Sequence, residues 1–369
     1  MRKDNEFISE FSLIFDCMFG KIIGTGSYVP DNVVGNNDLK EFFDTDDQWI
    51  RERTGIKRRH IMTGESTSYM AYKAAEKAVE SAEISCEKID LIIVSTVSSD
   101  TILPSTACVV QDRLNAKNAM CFDINVACTG FITAYNIAQS YINAGLVETA
   151  LVIGAEGLSQ IVDWTDRTTA ILFGDGAGAV VLKKDKSARF ETVMHSNGSM
   201  GNALTCVNPI QLRKMSASLI SNINKKASEN IDINVNDINY HITNNNADNI
   251  DNRKTFVSMN GQEVFRFAVR KVPECIEELI SKMKIEKSEI DLFLLHQANK
   301  RILESIGKRL KVSMDLIPEN VSEYGNTSSA SIPILLDEMV RDGKIQKGNK
   351  IIMAGFGAGL TWSAVYLEF

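Results

Sequence analysis

One structural unit is written twice in this chain, and that constrains its fold more than any single motif does. The segment YMAYKAAEKAVESAEISCEKIDLIIVSTV (69–97) and the segment VFRFAVRKVPECIEELISKMKIEKSEIDLFLLHQA (264–298) both run from a helical pattern into an apolar strand. Ile89-Asp90-Leu91 in the first matches Ile290-Asp291-Leu292 in the second. Each copy continues with an uncharged stretch, a helix-ending glycine and a new apolar strand. Cys128 lies 17 residues before Gly145 and Asn326 lies 17 before Gly343, so counting back from the glycines pairs Cys128 with Asn326.

No residue between Asp123 and Glu148 is charged, and none from Tyr324 to Leu336. A helix without a polar face is buried, so each half is expected to send one helix into the middle of the protein, starting near Cys128 or Asn326. Alternating helices and short β-rich runs predict α/β architecture with mainly parallel central sheets. The halves divide at about residues 20–190 and 191–369. Between 221 and 253 an Asn-, Asp- and Ile-rich run without helical period reads as a flexible surface insertion.

A net charge of -7 gives no general attraction to nucleic acid or to an anionic membrane, and no apolar run reaches membrane-spanning length. The seven cysteines (17, 86, 108, 121, 128, 206, 275) form no CxxC pair and have no histidine at metal-ligand spacing, so no metal site is expected. Residues 1–19 are mixed in charge and unlike a secretory signal; they read as an N-terminal extension or the remnant of a processed leader.

A free cysteine is usually a small buried hydrophobe. Cys128, in DINVACTGF, differs because it falls where a strand hands over to a helix, and there the unpaired N–H groups favour a thiolate. His296 ends the apolar strand of IDLFLLHQANKRI, the place where open α/β sheets build ligand sites. Asn326, in YGNTSSAS, is either a turn former or a neutral donor beside the histidine. The glycine-rich runs FGDGAGAVVL and AGFGAGLTW fit no phosphate-loop spacing and read as strand turns. On a helix starting at Lys300, Lys300, Arg301, Lys308 and Lys311 share one face opposite Ile302, Leu303, Ile306 and Leu310. In an acidic protein that basic face suits an acidic partner.

From about Gly20 to Phe369 the chain resembles the β-ketoacyl-acyl carrier protein synthase III family. The resemblance rests on KIIGTGSYVPDNVV, DDQWIRERTGIKRRHI, DINVACTGF, TDRTTAILFGDGAGAVVL, LLHQANKRI, EYGNTSSASIPILLDE and AGFGAGLTWSAVYLEF. It implies a thiolase fold, two βαβαβαββ halves in a five-layered αβαβα sandwich. It also implies a Cys128–His296–Asn326 triad, an oxyanion hole from the N–H groups of Cys128 and Ala358, and coenzyme A contacts at Trp49, Arg53, Arg167 and Asn299. Arg266, Lys300, Arg301, Lys308 and Arg309 fall on the family's carrier-protein surface, and Leu103 stands where a Phe of the partner's acyl pocket is common.

The implied reaction is decarboxylative condensation of an acyl-CoA, acetyl-CoA first, with malonyl-acyl carrier protein. It proceeds through an acyl-Cys128, in a homodimer, with no cofactor beyond the CoA substrate. The resemblance places the protein in the cytoplasm of a bacterium or the plastid of a eukaryotic parasite. Competing readings are a polyketide or secondary-metabolite condensing enzyme with another starter, and a non-catalytic acyl-CoA-binding protein.

Overall fold

The computed structural model describes residues 18–207 and 255–369. The expected leader-like extension, apart from Met18 and Phe19, and the Asn-rich insertion lie outside the described residues.

In chain order the first half contributes β1 (Phe19–Tyr28), α1 (Asp47–Thr54), α2 (Thr67–Ser81), β2 (Leu91–Ser95), α3 (Thr106–Leu114), β3 (Met120–Ile124), α4 (Gly130–Asn143), β4 (Thr149–Glu156) and β5 (Gly176–Asp185). The second contributes β6 (Phe190–Ser196), α5 (Gly261–Met283), β7 (Leu292–Leu295), α6 (Lys300–Leu310), α7 (Ser331–Arg341), β8 (Lys350–Gly357) and β9 (Thr361–Glu368). Strands of the first half form a sheet ordered β1-β5-β4-β2-β3, and those of the second a sheet ordered β6-β9-β8-β7. The two orders coincide except that β3 has no counterpart. After α6 the chain meets Pro318, which has no N–H for a ladder, and then forms the short helical turn Val321–Tyr324.

The duplication extends to side-chain detail. Asp90 accepts the backbone N–H of Thr149 at 2.9 Å, and Asp291 accepts that of Lys350 at 2.7 Å. Each aspartate thereby ties the start of β2 or β7 to the start of the neighbouring strand.

The sheets are not mainly parallel. Only β2 with β3, β2 with β4, and β7 with β8 pair parallel; the other ladders of both sheets are antiparallel. In the second sheet one ladder has a local reason: three residues, Ala358–Leu360, join β8 to β9, enough for a hairpin and far too few for a crossover.

Period-two alternation sorts the strands into layers. Leu91 and Ile93 of β2 and Leu294 of β7 point inward, into a core shared with Phe131, Ile132 and Tyr135 of α4 and Leu335 and Leu336 of α7. Ile92 and Val94 point outward against Met70, Ala74 and Val79 of α2 and Val110 of α3. In the second sheet Phe293 and Leu295 face Ile276 and Leu279 of α5 and Ile302, Leu303, Ile306 and Leu310 of α6. Each such fully buried side chain contributes about 1.5–3 kcal/mol. The result is the expected αβαβα sandwich, with α4 and α7 as its middle layer.

Candidate active site

Both middle helices begin in the same unusual way. Before α4, Val126 has φ -134° and ψ 28°, Ala127 a positive φ of 46°, Thr129 φ -88° and Gly130 φ -60°. Before α7, Thr327 has φ -96° and ψ 23°, Ser328 a positive φ of 49°, Ala330 φ -76° and Ser331 φ -62°. Residue by residue, this match pairs Cys128 with Ser329, keeping the spacing that relates Ile89 to Ile290. Pairing Cys128 with Asn326 is therefore corrected by about one helical turn. Counting back from the terminal glycine failed because α4 has 14 residues and α7 has 11.

Cys128 sits in the turn that enters α4, and the backbone is packed around it too tightly for side chains. A Cβ on Gly357 would lie 2.8 Å from the Cys128 nitrogen and 3.1 Å from that of Thr129, and one on Gly130 would lie 1.8 Å from Ser95 Oγ. Burial pushes the Cys128 thiol up to about 12; a hydrogen bond with the Ser328 hydroxyl opposes the rise and the buried Glu156 adds to it. The expectation of a resting thiolate is thus corrected, because desolvation outweighs the short turn in front of α4.

His296 follows the last residue of β7, 2% exposed. Its backbone N–H donates to Ala354 of β8, Nδ1 lies 2.8 Å from Ser331 Oγ, and Phe356 meets the ring edge to face. Burial lowers the imidazole to about 3, so it stays neutral. Asn326 is fixed by its N–H to Leu172 O (2.8 Å) and by Gly174 N–H to its own carbonyl. Its Oδ1 accepts the Ser328 N–H at 2.9 Å, which leaves Nδ2 as the donor end of the amide.

Cys128, His296 and Asn326 line one cavity of about 730 Å³, together with Phe356, Arg53, Asn299, Arg266 and Arg301. Cys128 and Ala358 also line a second cavity of about 570 Å³, whose walls include Leu158, Ile161, Phe173 and Val257. The cysteine therefore stands between two spaces, one lined by arginines and one without a lysine or arginine in its walls.

The remaining expected residues lie further out. Trp49 carries the Arg53 guanidinium 4.2 Å from its ring centroid and that of Arg167 at 4.0 Å. Both guanidiniums stack on the one indole. Asn299 caps α6 by accepting Arg301 N–H (2.9 Å) and donates to Arg53 O (3.1 Å). Lys300 pairs with Glu319 at 3.9 Å and Arg309 with Glu274 at 3.4 Å, and Lys308 lies on the same helix; none of the three lines the first cavity. Leu103 is 84% exposed and lines neither space.

Sequence reasoning missed Ser331, which holds His296, and the buried cluster around Glu156. That carboxylate, fully buried at the end of β4, accepts from Val97 N–H (3.0 Å) and from the hydroxyls of Ser98 (2.8 Å), Ser328 (3.1 Å) and Ser329 (2.7 Å), with Thr96 at 3.4 Å. A charge closing the otherwise apolar strand TALVIGAE was the available signal. No group of potential metal ligands occurs among the described residues.

Fold and site together define a thiolase-fold condensing enzyme. Two family models match: 3-oxoacyl-acyl-carrier-protein synthase III over residues 122–198 and the C-terminal part of that enzyme over 280–369. The chain is 42% identical over 355 residues to β-ketoacyl-acyl-carrier-protein synthase III of Clostridium acetobutylicum, covering 95% of this chain and 98% of that one. Among solved structures it resembles 3-oxoacyl-acyl-carrier-protein synthase III from Aquifex aeolicus, with TM-score 0.81 and 40% identity over 95% of this chain and all of that one. It also resembles the priming β-ketosynthase of the R1128 polyketide pathway, with TM-score 0.80 and 29% identity over 95% and 96%. The chain belongs to the β-ketoacyl-acyl-carrier-protein synthase III family.

Proposed function

We propose that this enzyme begins fatty-acid synthesis by moving an acyl group from CoA to Cys128 and condensing it with malonyl-acyl carrier protein, releasing CoA and CO2. The carrying observation is the position of Cys128 between two cavities: a thioester arm enters the first and the acyl chain occupies the second. Attack on the acyl-CoA carbonyl leaves an oxyanion for the N–H groups of Cys128 and Ala358, and CoA departs. Malonyl-carrier protein then docks by Arg266, Lys300, Arg301, Lys308 and Arg309. Trp49, Arg53, Arg167 and Asn299 hold CoA in the first step.

With Ser331 donating to Nδ1, His296 presents Nε2–H to the cavity. Together with Asn326 Nδ2–H it supports the thioester oxygen of malonyl as CO2 leaves. The carbanion attacks the acyl-cysteine, and the 3-ketoacyl product leaves on the carrier. A neutral histidine suits this role, since it donates without bringing a second charge into a dry site.

The starter we propose is acetyl-CoA, and the second cavity, about 570 Å³, has room for longer chains. The tests are mass spectrometry of the protein after exposure to a panel of acyl-CoA thioesters, and CO2 release from malonyl-carrier protein. Acylation at a cysteine other than Cys128, or CO2 release only from malonyl-CoA, would sink the reading; the latter favours the polyketide alternative suggested by the R1128 neighbour. A homodimer is proposed in addition: β3 is a sheet edge, and Ile102 (65% exposed) and Leu103 are large apolar side chains left open to solvent. The bacterial relatives support a bacterial cytoplasm as its compartment.

A further inference from the structure

The condensing reading leaves one atom without a destination. Acylation of Cys128 requires its proton to go somewhere, and the thiol is protonated at rest. His296, kept neutral down to about 3, is a poor acceptor, and its Nδ1 is engaged with Ser331. On the other side of Cys128 stands Ser328, which lines the second cavity with it and acts on its thiol. The Ser328 hydroxyl reaches Glu156 Oε1 at 3.1 Å.

We propose that Glu156, acting through the Ser328 hydroxyl, accepts the Cys128 proton as the acyl-enzyme forms. The inference rests on the condensing-enzyme reading. As the sulfur bonds the thioester carbonyl carbon, its S–H bond breaks. That proton passes to Ser328 Oγ, whose own proton passes to Glu156 Oε1. When the tetrahedral intermediate collapses, the carbon–sulfur bond to CoA breaks. CoA leaves as a thiolate that takes its proton from water, and the proton held on Glu156 returns through Ser328 to the Cys128 sulfur when condensation frees it, so Glu156 is again a carboxylate.

The surroundings of Glu156 suit that task. From the end of β2 and the residues after it come Thr96 Oγ1, Val97 N–H and Ser98 Oγ; from the turn before α7 come Ser328 Oγ and Ser329 Oγ; from the turn before α4 comes the Cys128 thiol. None of these is a cation. Burial raises the carboxyl and makes it a stronger base, while the donors aimed at its two oxygens oppose the rise, Ser329 sharing its one proton between Glu156 and Ser95 O.

The experiment separates the half-reactions. Rapid-quench mass spectrometry gives the acylation rate from acetyl-CoA against pH, and CO2 release from malonyl-carrier protein gives the decarboxylation rate. For Glu156→Gln, acylation at neutral pH should fall about 10²-fold and recover as pH rises towards about 9, where hydroxide takes the proton. Decarboxylation should change little. Glu156→Asp should restore part of the rate, and Ser328→Ala, which leaves Glu156 its other donors, should repeat the slow, pH-dependent acylation.

Acylation of Glu156→Gln at the wild-type rate across the pH range overturns the relay. So does an equal loss of both half-reactions, which marks a structural role. If Glu156→Gln does not fold, wild-type-rate acylation of Ser328→Ala overturns it alone. A wild-type protein that neither takes an acyl group on Cys128 nor decarboxylates malonyl-carrier protein refutes the condensing reading instead.

Discussion

Val126–Gly130 and Thr327–Ser331 enter their helices with matching dihedrals, yet only the first turn presents a residue to both cavities; from the second, Ser328 lines one of them. Cys128 borders both spaces, whereas its counterpart Ser329, 1% exposed, is held by Ser95 O at 3.0 Å and Glu156 at 2.7 Å. The next position differs too. Gly130 leaves room for Ser95, and its counterpart Ser331 uses its hydroxyl to hold His296. One backbone device thus sets a cysteine at the cavities in one copy and braces a buried contact in the other. In the second copy the amide that lines the first cavity, Asn326, lies upstream of the turn.

Removing the nucleophile should have the largest effect. Cys128→Ser should lose condensation by about 10⁴-fold or more and show no stable acyl adduct by mass spectrometry. Normal turnover of that variant would leave the two turns functionally indistinguishable.

Asn326→Ala comes next. Loss of one oxyanion donor costs about 2.7–4 kcal/mol, roughly 10²–10³ in decarboxylation, while Cys128 should still take up acyl groups from CoA. Equal loss of both half-reactions at unchanged stability would remove the distinction between the copies. The partner of Asn326 adds a pH signature. Because burial holds His296 at about 3, the decarboxylation rate of wild-type protein should show no inflection near 6.5, the ordinary histidine value. The stability sign follows from the same depression. Keeping His296 neutral costs nothing above about 6.5, and folding loses stability as pH falls from there towards 3, by roughly 5 kcal/mol at the end. Urea titrations at stepped pH measure that loss.

Much of this architecture was legible before any coordinates. Charge-free runs marked α4 and α7 as the buried layer, the repeated Ile-Asp-Leu marked β2 and β7, and strand ends pointed to His296. What escaped depended on lengths that composition does not encode. A three-residue difference between α4 and α7 shifted the pairing of Cys128, and where a strand would have matched β3 the chain forms the short helical turn Val321–Tyr324. Glu156 escaped for another reason. Its donors come from 96–98 and 328–329, segments far apart in sequence that meet only when both sheets clamp the middle helices.

Smaller effects should follow from the glycine that separates the two turns. Gly130→Ala places a methyl 1.8 Å from Ser95 Oγ, and with that hydroxyl turned away Ser95 Cβ still lies 3.0 Å from it. Overpacking of this kind costs about 1–3 kcal/mol. A denaturant titration should show that loss, and acylation should slow because the displaced turn carries Cys128. The counterpart change Ser331→Gly should be milder for stability and should spare acylation, since there the hydroxyl serves His296 instead.

The smallest expected effect tests the brace itself. Ser329→Ala removes a hydroxyl from Glu156, which keeps four other donors, so the loss should be about 1 kcal/mol by urea titration with acylation nearly unchanged. Ser329→Cys puts a thiol at the place equivalent to Cys128. If the turn alone made a nucleophile, this second cysteine would take an acyl group. If access to the cavities is required, only Cys128 will be acylated, because the side chain at 329 points into the packed contact between β2 and β4. Peptide mapping after acyl-CoA exposure distinguishes the two, and an adduct at position 329 would show that the backbone turn suffices without the space around it.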